Sequence, residues 1–146
     1  MVKFHESLSE RSVYLRYFSP LKLQQRVAHS RLVRICFNDY DREIALVAEL
    51  KNSDGQSEIV AVARLSKLHS SNAGEFAVVV TDQWQRKGLG TEMTKRLVQI
   101  GKNEKLGRLV AYTLRENKDM QHMCKNVGFK VRTPVGESEC IIEMDL

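Results

Sequence analysis

The sequence predicts an α/β layered domain, and three observations lead there. Phe76-Ala77-Val78-Val79-Val80 is apolar at every position and reads as a central strand covered on both faces. Leu89, Met93, Leu97 and Ile100 recur at steps of four, four and three, the mark of an amphipathic helix. Strand-like and helix-like segments alternate through the last third, which calls for crossover connections and some parallel pairing. A chain of 146 residues fits one domain, residues 1–146. A domain of that size buries roughly 70% of its unfolded surface and needs no covalent staple.

In chain order, the first third reads as helical. Leu8, Tyr14, Leu15 and Phe18 fall at helix-like spacing behind Ser7 or Ser9, either of which suits a cap, and Pro20 closes the segment. A second helix is expected from residue 21 towards 37, marked by Leu23, Val27, Leu32 and Ile35. A turn at Asn38-Asp39-Tyr40-Asp41 follows. Residues 44–48 and 59–63 read as paired strands around the hairpin signal Asn52-Ser53-Asp54-Gly55. After the strand at 76–80 and the helix from Leu89, Gly107 ends the unit, and residues 109–114 form another buried strand. Residues 117–126 read as a helix closed by Val127-Gly128-Phe129, and short strands around Val131 and Ile141 finish the chain.

Composition narrows the function classes. With 42% hydrophobic and 28% charged residues, the chain is neither disordered nor fibrous. No apolar run approaches the roughly 18 residues of a membrane span. The start, Met1-Val2-Lys3-Phe4-His5-Glu6, lacks the apolar stretch of a secretory signal. Cys36, Cys124 and Cys140 fit neither a disulfide framework nor a zinc spacing, so no metal is expected and a reducing cytoplasm is the expected setting. The net charge of +5 suits a nucleic-acid binder, an anionic cofactor or an acidic protein surface. Nucleic acid is disfavoured, because no RNP, Cys/His or basic-aromatic signature accompanies the charge. Arg11, Arg16, Arg26, Arg31 and Arg34 read as a solvated helical face, with docking on an acidic partner as the alternative.

The most informative stretch is Gln85-Arg86-Lys87-Gly88-Leu89-Gly90-Thr91, between a buried strand and an amphipathic helix. Glycines there allow positive φ and close backbone approach. The free N–H groups of the first helical turn, reinforced by the helix dipole, form an anion site suited to a pyrophosphate. An ordinary strand-to-helix turn carries the same Gly-x-Gly. The third glycine of a dinucleotide fingerprint and the Gly-Lys-Ser/Thr of a P-loop are both missing, which argues against NAD and ATP.

Gln85-x-x-Gly88-x-Gly90 resembles the Gln/Arg-x-x-Gly-x-Gly/Ala signature of the GNAT superfamily of N-acetyltransferases, and Asn117 followed by Gly128-Phe129 resembles that family's Asn…Gly-Phe element. The likeness covers about residues 40–135. A narrower one runs through nearly the whole chain. Residues 12–18, 39–43 and 74–80 are similar to the GNAT domain of bacterial Pat-type protein lysine acetyltransferases, which is often fused to an ADP-forming, acyl-CoA-synthetase-like region. The family's first β-strand is not evident, so the chain is expected to be a fragment of such a fusion or a short stand-alone version.

The resemblance implies a central mixed sheet flanked by helices, with acetyl-CoA held between the family's splayed fourth and fifth strands. Its pyrophosphate would lie on the backbone amides from Arg86 through Lys87, Gly88, Leu89 and Gly90 to Thr91. Pantetheine would run along Val78, Val79 and Val80, and Asn117 would sit near the pantetheine arm. The implied partners are acyl-CoA and a protein substrate with a target lysine.

Amine acylation needs a base, since a lysine of pKa about 10.4 is mostly protonated at pH 7. Glu75 is the candidate. It lies ten positions before Gln85, where the family often carries a glutamate, and its apolar neighbours are expected to desolvate it and raise its pKa. Glu43 and Asp82 are rivals, and a strand-edge glutamate facing water is the plain alternative. The tyrosine that protonates the leaving thiolate in many GNAT enzymes is replaced here by Cys124, read as a packed cysteine rather than a nucleophile. An inactive acyl-CoA-sensing module and a small-molecule amine acetyltransferase remain competing functions.

Overall fold

The computed structural model describes residues 1–36, 39 and 41–146, with the side chains at 30 and 33–35 outside that description. Four short helices come first: α1 (Val2–Glu6), α2 (Glu10–Tyr17), α3 (Leu23–Arg26) and α4 (His29–Cys36). Six strands and two longer helices follow: β1 (Glu43–Lys51), β2 (Ser57–Lys67), β3 (Ala73–Val80), α5 (Leu89–Asn103), β4 (Arg108–Leu114), α6 (Lys118–Val127), β5 (Lys130–Arg132) and β6 (Glu139–Asp145). Asn38 and Tyr40 of the expected turn, and Phe37, lie outside the described residues.

The strands form one mixed sheet in the order β1-β2-β3-β4-β6-β5. The apolar run at 76–80 lies in β3, a central strand, as its lack of alternation implied. Phe76, Ala61, Ala63 and Leu65 pack on α5 through Met93 and Leu97. On the opposite face Val62 packs with Phe4, Leu8 and Val13 of the N-terminal helices. The Phe76 and Phe129 rings, 4.9 Å apart, tie the end of α6 to β3.

Among the described residues one strand pair is parallel, β3 with β4, and it opens the fold. β3 and β4 pair only at Ala73, Gly74 and Glu75, against Arg108, Leu109 and Val110. Beyond those positions β3 runs on to Val80 and β4 to Leu114 with no ladder between them. The strands splay into a V, as the family resemblance implied, and their inner edges are left for something other than each other.

The helical first third is more broken than the periodicity suggested. Ser9 is the cap of α2: its Oγ accepts from the Ser12 N–H at 3.1 Å, while Ser7 Oγ donates to the Phe4 carbonyl and finishes α1. The helix expected over 21–37 is two short ones, α3 and α4, interrupted at Val27-Ala28. Arginine side chains stabilise the break. Arg26 is buried, donating to the Leu21 and His5 carbonyls at 3.2 and 2.6 Å, and Arg31 donates to the Arg26 carbonyl at 3.2 Å. Carbonyls near the helix ends, which lack intrahelical partners, are satisfied this way.

Candidate functional site

A cavity of about 850 Å³ fills the V between β3 and β4. The turn leading into α5 closes one end and Glu75 stands at the other. Polar contacts hold the turn. Asp82 accepts from the Ser9 N–H at 3.0 Å, the Ser9 hydroxyl at 2.7 Å and the Ser12 hydroxyl at 3.1 Å. Partial burial pushes its pKa up, but these hydrogen bonds outweigh that and hold the carboxyl below its ordinary value. Gln85 Nε2 donates to Ser12 Oγ and to the Val80 carbonyl, both at 3.0 Å. The Gln85 side chain therefore fixes the turn against α2 and the end of β3.

From there the backbone bends through Arg86, at φ 60, and Gly88, at φ 85 and ψ −5. Gly88 is the N-cap of α5, and no side chain caps that helix. A β-carbon at Gly88 would meet nothing within 4 Å, so its left-handed backbone, not crowding, is what calls for glycine. The first-turn N–H groups of a 15-residue helix thus face the cavity end without a side-chain acceptor.

The expected site residues divide as follows. Val78, Val79, Val80, Gln85, Arg86, Gly88, Gly90, Thr91, Asn117 and Glu75 all line the cavity. The side chains of Lys87 and Leu89 turn elsewhere: Lys87 Nζ lies 5.1 Å over the Trp84 ring, and Leu89 packs on the main core. Arg86 Nη2 reaches Asp119 of α6 at 3.1 Å across the mouth. The Asn117 Oδ1 atom accepts from the Met120 N–H at 3.2 Å and caps α6.

Glu75 occupies the last position of β3 that pairs with β4, at the apex of the V. One part of its reading needs correction. It is exposed, and its apolar neighbours do not desolvate it. Successive side chains on a strand point to opposite faces, so buried Gly74 and Phe76 lie against the α5 side while Glu75 faces the other. The rivals are engaged elsewhere. Asp82 is held by Ser9 and Ser12, and Glu43 Oε2 lies 3.9 Å from Arg64 Nη1 while its other oxygen accepts from Ser66 Oγ at 3.4 Å.

Cys124 is fully buried on α6, and burial pushes its thiol up to about 12. His122 is exposed on the cavity side of the same helix, away from Cys124. The arginine-rich face is also corrected. Arg26 is buried and Arg16 and Arg31 are half-buried, which removes them from a plain solvated face, while Arg11 is exposed and the side chain of Arg34 lies outside the described residues.

Among the cavity-lining residues that the sequence reading did not assign to the site are Tyr17 and Tyr112, the latter 45% exposed. Tyr112 was legible in principle, since it follows Val110 on the opposite face of β4 from buried Leu109, Ala111 and Thr113. Tyr17 carried no such signal, because α2 reaches the cavity through tertiary packing.

A family model described as an acetyltransferase (GNAT) domain matches residues 2–130. An acetyltransferase of Pseudomonas aeruginosa is 24% identical over 127 residues, which cover 87% of this chain and 66% of that protein. The chain therefore spans just under two thirds of that relative's length. Among solved structures, the GNAT domain of S. lividans PAT matches with a TM-score of 0.85 at 22% identity, covering 99% of this chain and 82% of that one. The PaiA N-acetyltransferase of Thermoplasma acidophilum, in complex with coenzyme A, matches with a TM-score of 0.72 at 16% identity, covering 99% and 94%. At those identities the two structures speak for the fold.

Proposed function

The chain belongs to the GNAT acetyltransferase family, and we propose that it transfers an acetyl group from acetyl-CoA to a lysine amine of a protein. One observation carries the reading: an uncapped helix N-terminus opens on one end of the V, and a solvent-facing carboxylate stands at its apex. The backbone N–H groups from Arg86 to Thr91 hold the pyrophosphate, helped by the helix dipole. The inner edge of β3 at Val78, Val79 and Val80 guides the pantetheine arm towards Glu75.

The chemistry is then direct. Glu75 takes a proton from the acceptor ammonium, itself or through one water, and leaves a neutral amine. The amine nitrogen attacks the thioester carbonyl carbon and a C–N bond forms; the nitrogen gives up its second proton to water, the C–S bond breaks, and the sulfur leaves as thiolate to be protonated from solvent. The chain's likeness to Pat-type segments points to an AMP-forming acyl-CoA synthetase as the protein acceptor. Acylating an active-site lysine there removes a cation.

Glu75→Gln keeps shape and removes the base. Acetyl transfer should fall by roughly 10²-fold while acetyl-CoA affinity holds, read by steady-state kinetics and calorimetry. Turnover unchanged from pH 6 to 9 would move the base elsewhere, with Glu43 tested next. Labelling of the synthetase lysine, reversed by a deacetylase, tests the acceptor. Efficient acetylation of a small amine with the synthetase unlabelled would sink the protein-lysine reading.

A further inference from the structure

A second cavity, of about 320 Å³, lies on the α1–α2 side of the sheet and meets the first at Glu75 and Arg16. Its chemistry differs from that of the V. Arg16, Arg31 and Arg64 all line it, with only Glu43 and Glu75 as counter-charges, and Arg64 is paired with Glu43. The Arg16 and Arg31 guanidinium carbons each stand 5.0 Å from the centroid of the same Tyr17 ring. Like charges gathered around one ring repel, the more so where water is partly excluded. Among the described residues Arg16 has no hydrogen-bonded acceptor. Burial, then the nearby Arg64 and Arg31, disfavour its charge, which Tyr17 and Glu75 favour, and the net effect lowers its pKa.

An independent feature lies in the same wall. His5 is 1% exposed, and among the described residues neither of its ring nitrogens has a hydrogen-bond partner. Burial and then the charge of Arg31 push its pKa down to about 4, so the ring is neutral and offers one N–H and one acceptor nitrogen. Buried polar atoms are rarely left without partners. Two clustered cations and an unsatisfied imidazole around one small cavity together describe a place for an anionic group.

We infer that this cavity receives a carboxylate carried by the acceptor, held by Arg16 and Arg31, while the acceptor's amine lies at Glu75. The inference rests on the acyl-transfer reading and sharpens it: the acceptor is an amine with an acidic group close by. On a protein that group is an aspartate or glutamate beside the target lysine. On a small molecule it is the α-carboxylate of an amino acid.

Two pairs of probes test this on the whole chain saturated with coenzyme A: a blocked peptide with lysine next to glutamate against the same peptide with glutamine, and free lysine against lysine amide. Each is titrated by calorimetry and then assayed for acetyl transfer with acetyl-CoA. In at least one pair the carboxylate member should bind about tenfold tighter or more, as a charge-assisted contact implies. The gap should close in Arg31→Gln and return in part in Arg31→Lys, with coenzyme A affinity unchanged in both. A destabilised fold would weaken both members of a pair and leave their ratio alone. A gap and turnover confined to the free amino acid would retain the pocket and overturn the protein-lysine reading. No gap in either pair with the native chain would overturn the pocket, whatever is acetylated.

Discussion

Two helices begin at the mouth of the same cavity, and they begin differently. α6 is closed by its own sequence: Asn117 Oδ1 accepts the Met120 N–H, and Asp119 adds a carboxylate to the first turn. α5 begins at Gly88, which has no side chain to offer, and is left open. Every helix N-terminus carries about four backbone N–H groups without intrahelical acceptors, and a side-chain cap commonly stabilises by about 1 kcal/mol. The chain installs a side-chain cap at α6 and none at α5, beside the same cavity, and the uncapped terminus is where the pyrophosphate is proposed to lie. On the proposed function α6 is a wall and α5 a binding end.

Breaking the open end should have the largest effect. Gly88→Glu puts a carboxylate where the pyrophosphate is proposed to lie and forces a side chain on to a φ of 85. Acetyl-CoA affinity should fall at least roughly 100-fold by calorimetry, or about 3 kcal/mol. Gly88→Ala is the control, keeping the backbone strain of roughly 1–2 kcal/mol without the charge. Equal binding by Gly88→Glu and the native chain would remove α5 from the site.

The difference between the two helix starts also marks what the sequence could say. The open end was legible, because Gly88 and Gly90 follow an apolar strand and precede apolar residues at helical steps, all local signals. The closed end was half legible: Asn117 was singled out, but for a ligand role, since a cap and a ligand contact draw on the same residue type. Glu75 was singled out as the base and stands at the apex of the V, yet its environment was misjudged. Flanking residues along the sequence describe the opposite face of a strand, so Gly74 and Phe76 said nothing about what surrounds Glu75. The break between α3 and α4 was not legible at all, because the Arg26 contact with His5 spans 21 positions. Arg16 was weighed as a surface charge for the same reason.

Asn117 can be divided between cap and ligand by two substitutions. Asn117→Asp keeps an acceptor for the Met120 N–H, removes the amide donor and adds a negative charge, so its effect on affinity is read at high salt. Asn117→Ala removes acceptor and donor, and should cost about 1 kcal/mol of stability by thermal or urea unfolding. If Asn117 also donates to the pantetheine arm, Asn117→Asp should weaken acetyl-CoA by up to roughly tenfold at unchanged stability. Native affinity in Asn117→Asp would leave the residue a cap alone.

A smaller change is expected at the ion pair that joins the two helix starts. Arg86 and Asp119 are 3.1 Å apart with side chains 80% and 69% exposed, so the pair contributes at most about 1 kcal/mol. Asp119→Asn frees Arg86 and removes a negative charge from the cavity wall. Acetyl-CoA affinity should rise by a few-fold at low salt. The gain should shrink as ionic strength rises, because exposed charges are screened beyond about 10 Å at 0.1 M. An unchanged affinity at all salt concentrations would mean that Arg86 does not face the bound pyrophosphate.

The smallest effect on activity should come from Cys124, and it sharpens the comparison most, because it asks whether α6 does chemistry. The residue falls where many relatives of the fold carry a proton-donating tyrosine. Its thiol is fully buried, and burial lifts its pKa to about 12. A thiolate is the nucleophile, and between pH 6 and 9 almost none exists at that pKa. A shift in that direction also removes the thiol from any rate profile measured over that range. Cys124→Ala should therefore cost roughly 1 kcal/mol of stability through the lost volume, leave kcat within about twofold, and leave the pH profile unmoved. An acyl-thioester on Cys124 in the intact mass, or a profile limb lost in Cys124→Ala, would make α6 a working part of the site and undo its description as a wall.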